Sequence, residues 1–434
     1  MLKRLISLFL LCYLPASFAY LEIEITQGVD SAIPVAVVPF AGTESLPKDL
    51  NVSDIIQNDL RRSGEFKIFS EKDMAQKPSD SNEVEFAYWR NLSQEALVIG
   101  EVLPMAGNRY QVKFSLYDLF TQAGTANPSP ILVREFVIDA KQLRHLAHHI
   151  SDLIYEKLTG FPGAFSTRIA YVALSWNNGK PGQYRLDVAD ADGFNPQTIL
   201  RSNEPIMSPT WSPDGKQLAY VSFEKHRAQI YIADVATGQR KLVSSAPGIN
   251  GAPAFSPDGR KLALVLSHAN VPKIFILDLS NDKLTQVTQG SSIDTEPFWL
   301  DANHLIFTSN RSGQPQIYKV NLNNKKVDRM TFTGEYNARA SVTPNGEYMV
   351  MIHGNKGRYH IAAQNLRNNH ILILTQTSMD ESPSLAPNGR MIIYGTVNKN
   401  KRVLSAVSID GRVKLLIPTQ EGDVQEPAWS PKLM

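Results

Sequence analysis

His145, His148 and His149 lie within five residues of one another. Two of them, His145 and His149, have the i, i+4 spacing that puts two imidazoles on one helix face, as in a metal site. No glutamate stands between them in the zincin order and no third ligand is evident, so the three read as a solvated helix face. The chain has no Gly-x-Ser-x-Gly elbow, Walker loop or dinucleotide fingerprint. Asp234, Asp278 and Asn321 recur like a carboxylate array, but turn residues follow each of them (Thr237-Gly238, Asn281-Asp282, Asn323-Asn324). They read as hairpin caps.

A second recurring set is more informative: Glu204-Pro205-Ile206-Met207, Asn250-Gly251-Ala252-Pro253, Asp294-Thr295-Glu296-Pro297, Asn337-Ala338-Arg339-Ala340, Asp380-Glu381-Ser382-Pro383 and Gln425-Glu426-Pro427. Each segment leads into a β-rich run. If those runs are the innermost strands of a propeller, the set rings the mouth of its channel. Acids outnumber the single arginine there, so the mouth reads as an acidic funnel that would concentrate a cationic partner. Ala252, Ala338 and Ser382 are small enough to leave room for a protein or peptide ligand. The alternative readings are a small envelope ligand or a divalent cation held by the acids.

The elements that must position this ring announce themselves by repetition. Trp211-Ser212-Pro213-Asp214-Gly215-Lys216 returns as Phe255-Ser256-Pro257-Asp258-Gly259-Arg260, and more weakly at Phe298, Val342, Leu385 and Trp429. The copies are spaced by about 40 to 45 residues, the period of a propeller blade. Proline presets φ for a tight turn, Asp or Asn bonds back to the backbone, and Gly accepts a positive φ. Short β-rich runs follow each turn, such as Leu218-Ala219-Tyr220-Val221 and Ile274-Phe275-Ile276-Leu277. The copy at Trp429 has no chain after it to finish a blade, whereas Ile169 to Leu174 and Tyr184 to Val188 form a blade without a first strand. The two incomplete pieces complete each other, which predicts a six-bladed ring closed by a C-terminal strand.

Upstream, Lys3 and Arg4 precede the apolar run Leu5 to Leu14, and Ser17-Phe18-Ala19 suits a signal peptidase. Residues 1–19 read as a secretory signal, too short to span a bilayer. The only cysteine, Cys12, falls inside it, without the small residue a lipoprotein signal needs. The mature chain would have no thiol nucleophile and no disulfide, which fits a bacterial periplasm. Lys+Arg number 44 and Asp+Glu 42. Loss of Lys3 and Arg4 with the leader would bring them into balance, which argues against a nucleic-acid partner.

In residues 20–32, Leu21, Ile23 and Ile25 alternate with Glu22, Glu24 and Thr26 as in a strand with one apolar face. It reads as an edge strand of the domain that follows, or as an extended segment that another protein takes as an added strand. Residues 33–160 read as an α/β domain. The pattern predicts strands at Ile33 to Phe40, Phe66 to Phe69, Leu97 to Val102, Tyr110 to Tyr117 and Ile131 to Ile138, and helices at Asp54 to Arg62 and Ala140 to Thr159. Residues 161–167 read as the linker. The whole is an N-terminal α/β domain followed by an all-β six-bladed propeller over 168–434.

The combination of leader, α/β domain, Gly163-Ala164-Phe165-Ser166-Thr167-Arg168-Ile169-Ala170-Tyr171-Val172 and these repeats resembles the TolB family, periplasmic components of the Tol-Pal envelope system. Val29-Asp30-Ser31, Met207-Ser208-Pro209-Thr210-Trp211-Ser212-Pro213-Asp214-Gly215 and Pro383-Ser384-Leu385-Ala386-Pro387-Asn388-Gly389 add to the likeness, which covers essentially the whole mature chain. It implies a non-enzymatic, monomeric adaptor without a cofactor. The lipoprotein Pal would be received at Glu204, Met207, Asn250, Ala252, Asp294, Thr295, Glu296, Asn337, Asp380 and Glu381. The C-terminal domain of TolA would take the mature N-terminus, from Tyr20, Leu21, Glu22, Ile23, Glu24 and Ile25 on to Ser31. Members of the family often have a polar, titratable residue before Asn250-Gly251, where this chain has Ile249. A gating propeller of a prolyl-oligopeptidase-like hydrolase is set aside because no hydrolase domain follows the repeats.

Overall fold

The computed structural model describes residues 23–25 and 32–433 apart from positions 45, 123, 178, 269, 420 and 421. The expected leader over 1–19, and residues 20–22 and 26–31 of the N-terminal segment, therefore lie outside the described residues.

The α/β domain is a five-stranded mixed sheet. Strands β2 (Ile33–Val37), β3 (Phe66–Ile68), β4 (Ala96–Met105), β5 (Arg109–Asp118) and β6 (Leu132–Asp139) take the order β3-β2-β4-β5-β6, and β1 (Ile23–Ile25) lies elsewhere. β2 runs parallel to both neighbours, and the rest is antiparallel. The β4–β5 hairpin turns at Gly107 and Asn108, both at positive φ. Helices α1 (Val52–Ser63) and α3 (Leu143–Thr159) cover one face, burying Ile56, Leu60, Ile150 and Ile154 against Val35, Val37 and Val98. Asn51 caps α1 through its side chain, and Gly64 and Gly160 end the two helices in the left-handed region. The sequence pattern does not reveal α2 (Phe86–Asn91), which packs Phe86 and Trp89 on the other face against Leu97, Ile99 and Tyr117. Six residues are too few to show a 3.6-residue period.

Six propeller blades follow in a ring, each with four strands of its own and the first of them at the channel; blade 6 gains β1 as a fifth strand. Blade 1 takes its inner strand, Asp423–Trp429, from the end of the chain, paired antiparallel with Arg168–Asn177; Trp429 lies opposite Ile169 and Gln425 opposite Val172. The closing strand is fixed sideways too. Arg168 N–H donates to Ser430 Oγ at 2.9 Å, Trp429 N–H to Ser384 Oγ at 2.9 Å, and the Trp429 indole N–H to Thr167 Oγ1 at 2.8 Å. Closure leaves the ring without an open seam.

The repeated turn has a common construction. The Ser212 hydroxyl donates to Asp214 and accepts from Gln217 N–H; Ser256 does the same with Asp258 and Lys261, and Thr343 with Asn345 and Tyr348. Tryptophans on inner strands bind one blade to the next: Trp211 Nε1 donates to Ala428 O and Trp299 Nε1 to Ala254 O, both at 3.0 Å. Asp234, Asp278 and Asn321 accept backbone N–H groups of their own hairpins.

The two domains meet at the face that carries the turns. Asn388 donates to Pro162 O at 3.0 Å, Arg390 pairs with Glu65 at 2.9 Å, and the Arg390 guanidinium lies over the Phe161 ring. The linker is held on its other side by Asp152, which accepts from Phe165 N–H, Ser166 N–H and the Ser166 hydroxyl. Gly163 allows this approach, since a Cβ there would lie 2.5 Å from Asp152 Cα.

Candidate functional site

Every inner strand carries the same irregularity. The pairing with the second strand slips between Met207 and Thr210, Gly251 and Ala254, Thr295 and Phe298, Ala338 and Ser341, Glu381 and Ser384, and Gln425 and Ala428. At each slip one residue other than glycine adopts positive φ: Ser208, Ala252, Glu296, Arg339, Ser382 and Glu426, all between 43° and 55°. A bulge re-aims a side chain out of the pleat, and six in register are a feature of the fold. These six residues line a central cavity of about 590 Å³ together with Met207, Thr295 and the prolines that follow the bulges.

The bulge decides which members of the expected ring face the channel. Met207, Ala252, Thr295 and Glu296 do. Asn250, Asp294, Asn337 and Asp380 do not: all are buried at the start of the strand, two residues before the bulge. Asn250 bonds Ser244 and Ala246, Asn337 bonds Gln316 and His353, and Asp380 accepts from Thr375, Thr377 and Thr396. Asp294 is paired with Lys273 and Arg311 and bonded by Ser309. Burial pushes its carboxyl up, and the Ser309, Lys273 and Arg311 donors more than offset this and hold it below the usual range. A buried polar group needs such partners, and these four bind the inner strands to their own blades. Glu204 and Glu381 are partly exposed at the rim, where Glu381 pairs with Arg402 at 2.6 Å.

The acidic funnel is correspondingly reduced. Of the acids that reach the channel, Glu426 is paired with Arg339, and Glu296 accepts from Arg339 N–H at 2.9 Å and from Thr308 at 2.8 Å. Arg339 also donates to Ser382 at 2.7 Å, so one guanidinium on blade 5 reaches across blade 6 to the closing strand of blade 1. The channel therefore carries its own counter-charge.

Around the mouth lies an apolar collar. Met207 on the inner strand of blade 2, Ile249 and Ile293 just before those of blades 3 and 4, and Met379 just before that of blade 6 are 40%, 45%, 46% and 61% exposed. Inner strands begin at this face and end at the turns, so the mouth looks away from the α/β domain. The spacing of the repeats implies an acid ring here, with Met207 in it and Ile249 beside it; Ile293 and Met379 are marked in the sequence only as apolar residues directly before Asp294 and Asp380, as Ile249 is before Asn250.

The N-terminal strand is the second feature. β1 pairs antiparallel with Val413–Ile417, the outermost strand of blade 6, with Ile23 opposite Leu415 and Ile25 opposite Val413. The expectation that this segment edges the following domain is thus corrected: its pleated partner is a propeller strand almost 400 positions away, and the α/β sheet ends at β3 and β6. Main-chain pairing needs no particular side chains from the partner strand, so sequence alone cannot name it. Among the three histidines, His148 is buried and bonded to Asp59 at 2.7 Å, which corrects the solvated-face reading for that residue.

Fold and site together define a two-domain β-propeller protein whose surface features are a collared channel mouth at one end and an added strand on one blade. Residues 155–433 match the family described as TolB beta propeller domain, and residues 21–125 that described as TolB amino-terminal domain. The chain is 49% identical over 418 residues to the Tol-Pal system protein TolB of Nitrosococcus oceani, covering 96% of this chain and 95% of that one. It is 49% identical over 427 residues to the protein of the same name from Coxiella burnetii, covering 98% and 97%. The crystal structure of TolB from Acinetobacter baumannii matches with a TM-score of 0.86 at 39% identity, covering 95% of this chain and all of that one. The chain belongs to the TolB family.

Proposed function

We propose that this protein is a non-enzymatic periplasmic adaptor of the Tol-Pal system that receives the lipoprotein Pal at the propeller mouth and offers its N-terminal segment to the C-terminal domain of TolA, in support of outer-membrane integrity and envelope constriction at division. The observation that carries the reading is the collar of Met207, Ile249, Ile293 and Met379 around a polar channel. Exposed apolar side chains distributed around a concave mouth suit a protein partner. A cation in the channel is disfavoured, because Glu426 is already paired with the Arg339 guanidinium and Glu296 already accepts from the Arg339 N–H and from Thr308.

Partner TolA would take the N-terminal segment by strand addition, which draws on main-chain hydrogen bonds. Bonds of the same kind hold one edge of Ile23–Ile25 on blade 6, so docking there and capture of that edge by TolA exclude each other. If Pal favours the docked state, then TolA capture must weaken Pal binding by the same factor. Titrating the soluble domain of Pal calorimetrically into the mature chain, and into a variant lacking residues 20–31, tests the coupling. A changed Pal affinity on deletion is expected, and an unchanged one rejects it.

A further inference from the structure

His148 sits on α3 where the two domains meet, away from both the mouth and β1. Its Nδ1 is 2.7 Å from Asp59 Oδ2 on α1. Its Nε2 has no hydrogen-bond partner and faces Asp192 Oδ2 at 3.8 Å, in the turn between the third and fourth strands of blade 1. The ring is almost wholly buried. Each carboxylate has a further cation: Arg62 reaches Asp59 at 3.0 Å, and Arg144 reaches both Asp192 and Asp190. The charged and titratable groups facing this point are thus Asp59 and Arg62 from α1, Arg144, His145 and Asp152 from α3, and Arg168, Asp190 and Asp192 from the propeller.

The geometry selects a protonation state. A neutral imidazole with its proton on Nδ1 would aim a bare lone pair at the Asp192 carboxylate, and one with its proton on Nε2 would do so at Asp59, at hydrogen-bond distance. Only the imidazolium offers a donor to each. Counting it, three acids (Asp59, Asp190, Asp192) meet three cations (His148, Arg62, Arg144), while Asp152 is turned to the linker amides. Asp59, His148 and Asp192 could also be read as metal ligands, their donor atoms lying within 4.8 Å of one another. A divalent ion in place of one proton would overcharge a buried cluster that already holds two guanidiniums.

We propose that His148 is a proton-operated latch between the domains: its imidazolium ties Asp59 of the α/β domain to Asp192 of the propeller, and loss of that proton loosens the junction. Burial pushes the imidazole down, but the charge of Asp59, its hydrogen bond and the charge of Asp192 outweigh burial and hold it above the ordinary histidine value. A group raised on folding contributes fully below its unfolded pKa, about 6.5, and loses that contribution as pH rises through its folded value. The junction is accordingly firm in mildly acidic medium and loosens in alkali. The ion pairs of Arg144 with Asp190 and Asp192, the linker, and the Arg390–Glu65 and Asn388–Pro162 contacts keep the domains attached, so loss of the proton loosens the junction without parting it.

The test uses residues 20–434, which contain no cysteine. Proton titration of His148 by NMR in the wild type needs no variant. Spin labels on Glu71→Cys and Lys325→Cys, both at exposed positions in different domains, report the interdomain distance with and without His148→Gln. Expected are a His148 titration above about 6.5, a distance distribution that broadens as pH rises through that value, and a broad one at every pH in the His148→Gln variant. Titration below that value, a distribution indifferent to pH, or stoichiometric zinc binding that His148→Gln abolishes would each overturn the latch.

Discussion

Replacing Arg339 by Met removes one side chain that ties three blades together. The guanidinium pairs with Glu426 on the closing strand and donates to Ser382, with side-chain exposures of 29% for Arg339 and 11% for Glu426. Methionine keeps most of the volume and brings the same left-handed backbone demand, so the change reports the lost charge. Removing one partner of a fully buried pair costs about 3 to 5 kcal/mol, because the other charge is left unpaired. Partial exposure of the guanidinium lowers this to about 2 to 3 kcal/mol. At roughly 2 to 4 °C per kcal/mol for a domain of this size, the propeller transition should fall by about 5 to 10 °C in scanning calorimetry. Adding Glu426→Gln should recover part of the loss, since the stranded carboxylate is then neutral, and a double-mutant cycle should return a coupling of about 1 to 2 kcal/mol. An unchanged transition in Arg339→Met, or a double variant with simply additive losses, would refute the claim that this arginine neutralises the channel acids.

Asp294→Asn should cost about 3 kcal/mol at neutral pH by stranding the buried Lys273 ammonium. Because the Asp294 carboxyl is held below its usual value, that contribution is present above about pH 4 and lost as pH falls through the lowered value. The deficit of the variant in urea denaturation should therefore shrink in acid. Gly163→Ala should destabilise by about 1 to 3 kcal/mol, since the new methyl meets the Asp152 backbone at 2.5 Å and cannot be relieved by a rotamer change. Limited proteolysis should then cut faster within residues 161–167.

Much of the fold was legible because its punctuation is chemical. Serine, proline, aspartate and glycine build the same hydrogen-bonded turn wherever they recur, and the unmatched pieces at Trp429 and Ile169 required each other. The site was less legible. Spacing placed Asn250, Asp294, Asn337 and Asp380 at the start of the inner strands, but only the bulge two residues later shows that they turn into the blades while Ser208, Arg339 and Glu426 face the channel. A register slip leaves little trace in hydrophobic alternation beyond the proline that follows the bulge in five of six blades, Ala340 being the exception. The partner of β1 and the far side of His148 are long-range contacts between unlike segments, which no local period encodes.

The central claim is that the collared mouth binds a protein partner. Calorimetric titration of the soluble Pal domain into the wild type and into the Ile249→Asp/Met379→Asp double variant tests it directly, because both side chains are exposed and make no structural hydrogen bonds among the described residues. The account predicts at least a tenfold loss of affinity, about 1.4 kcal/mol or more, with an unchanged melting temperature. Full affinity in the double variant would contradict it.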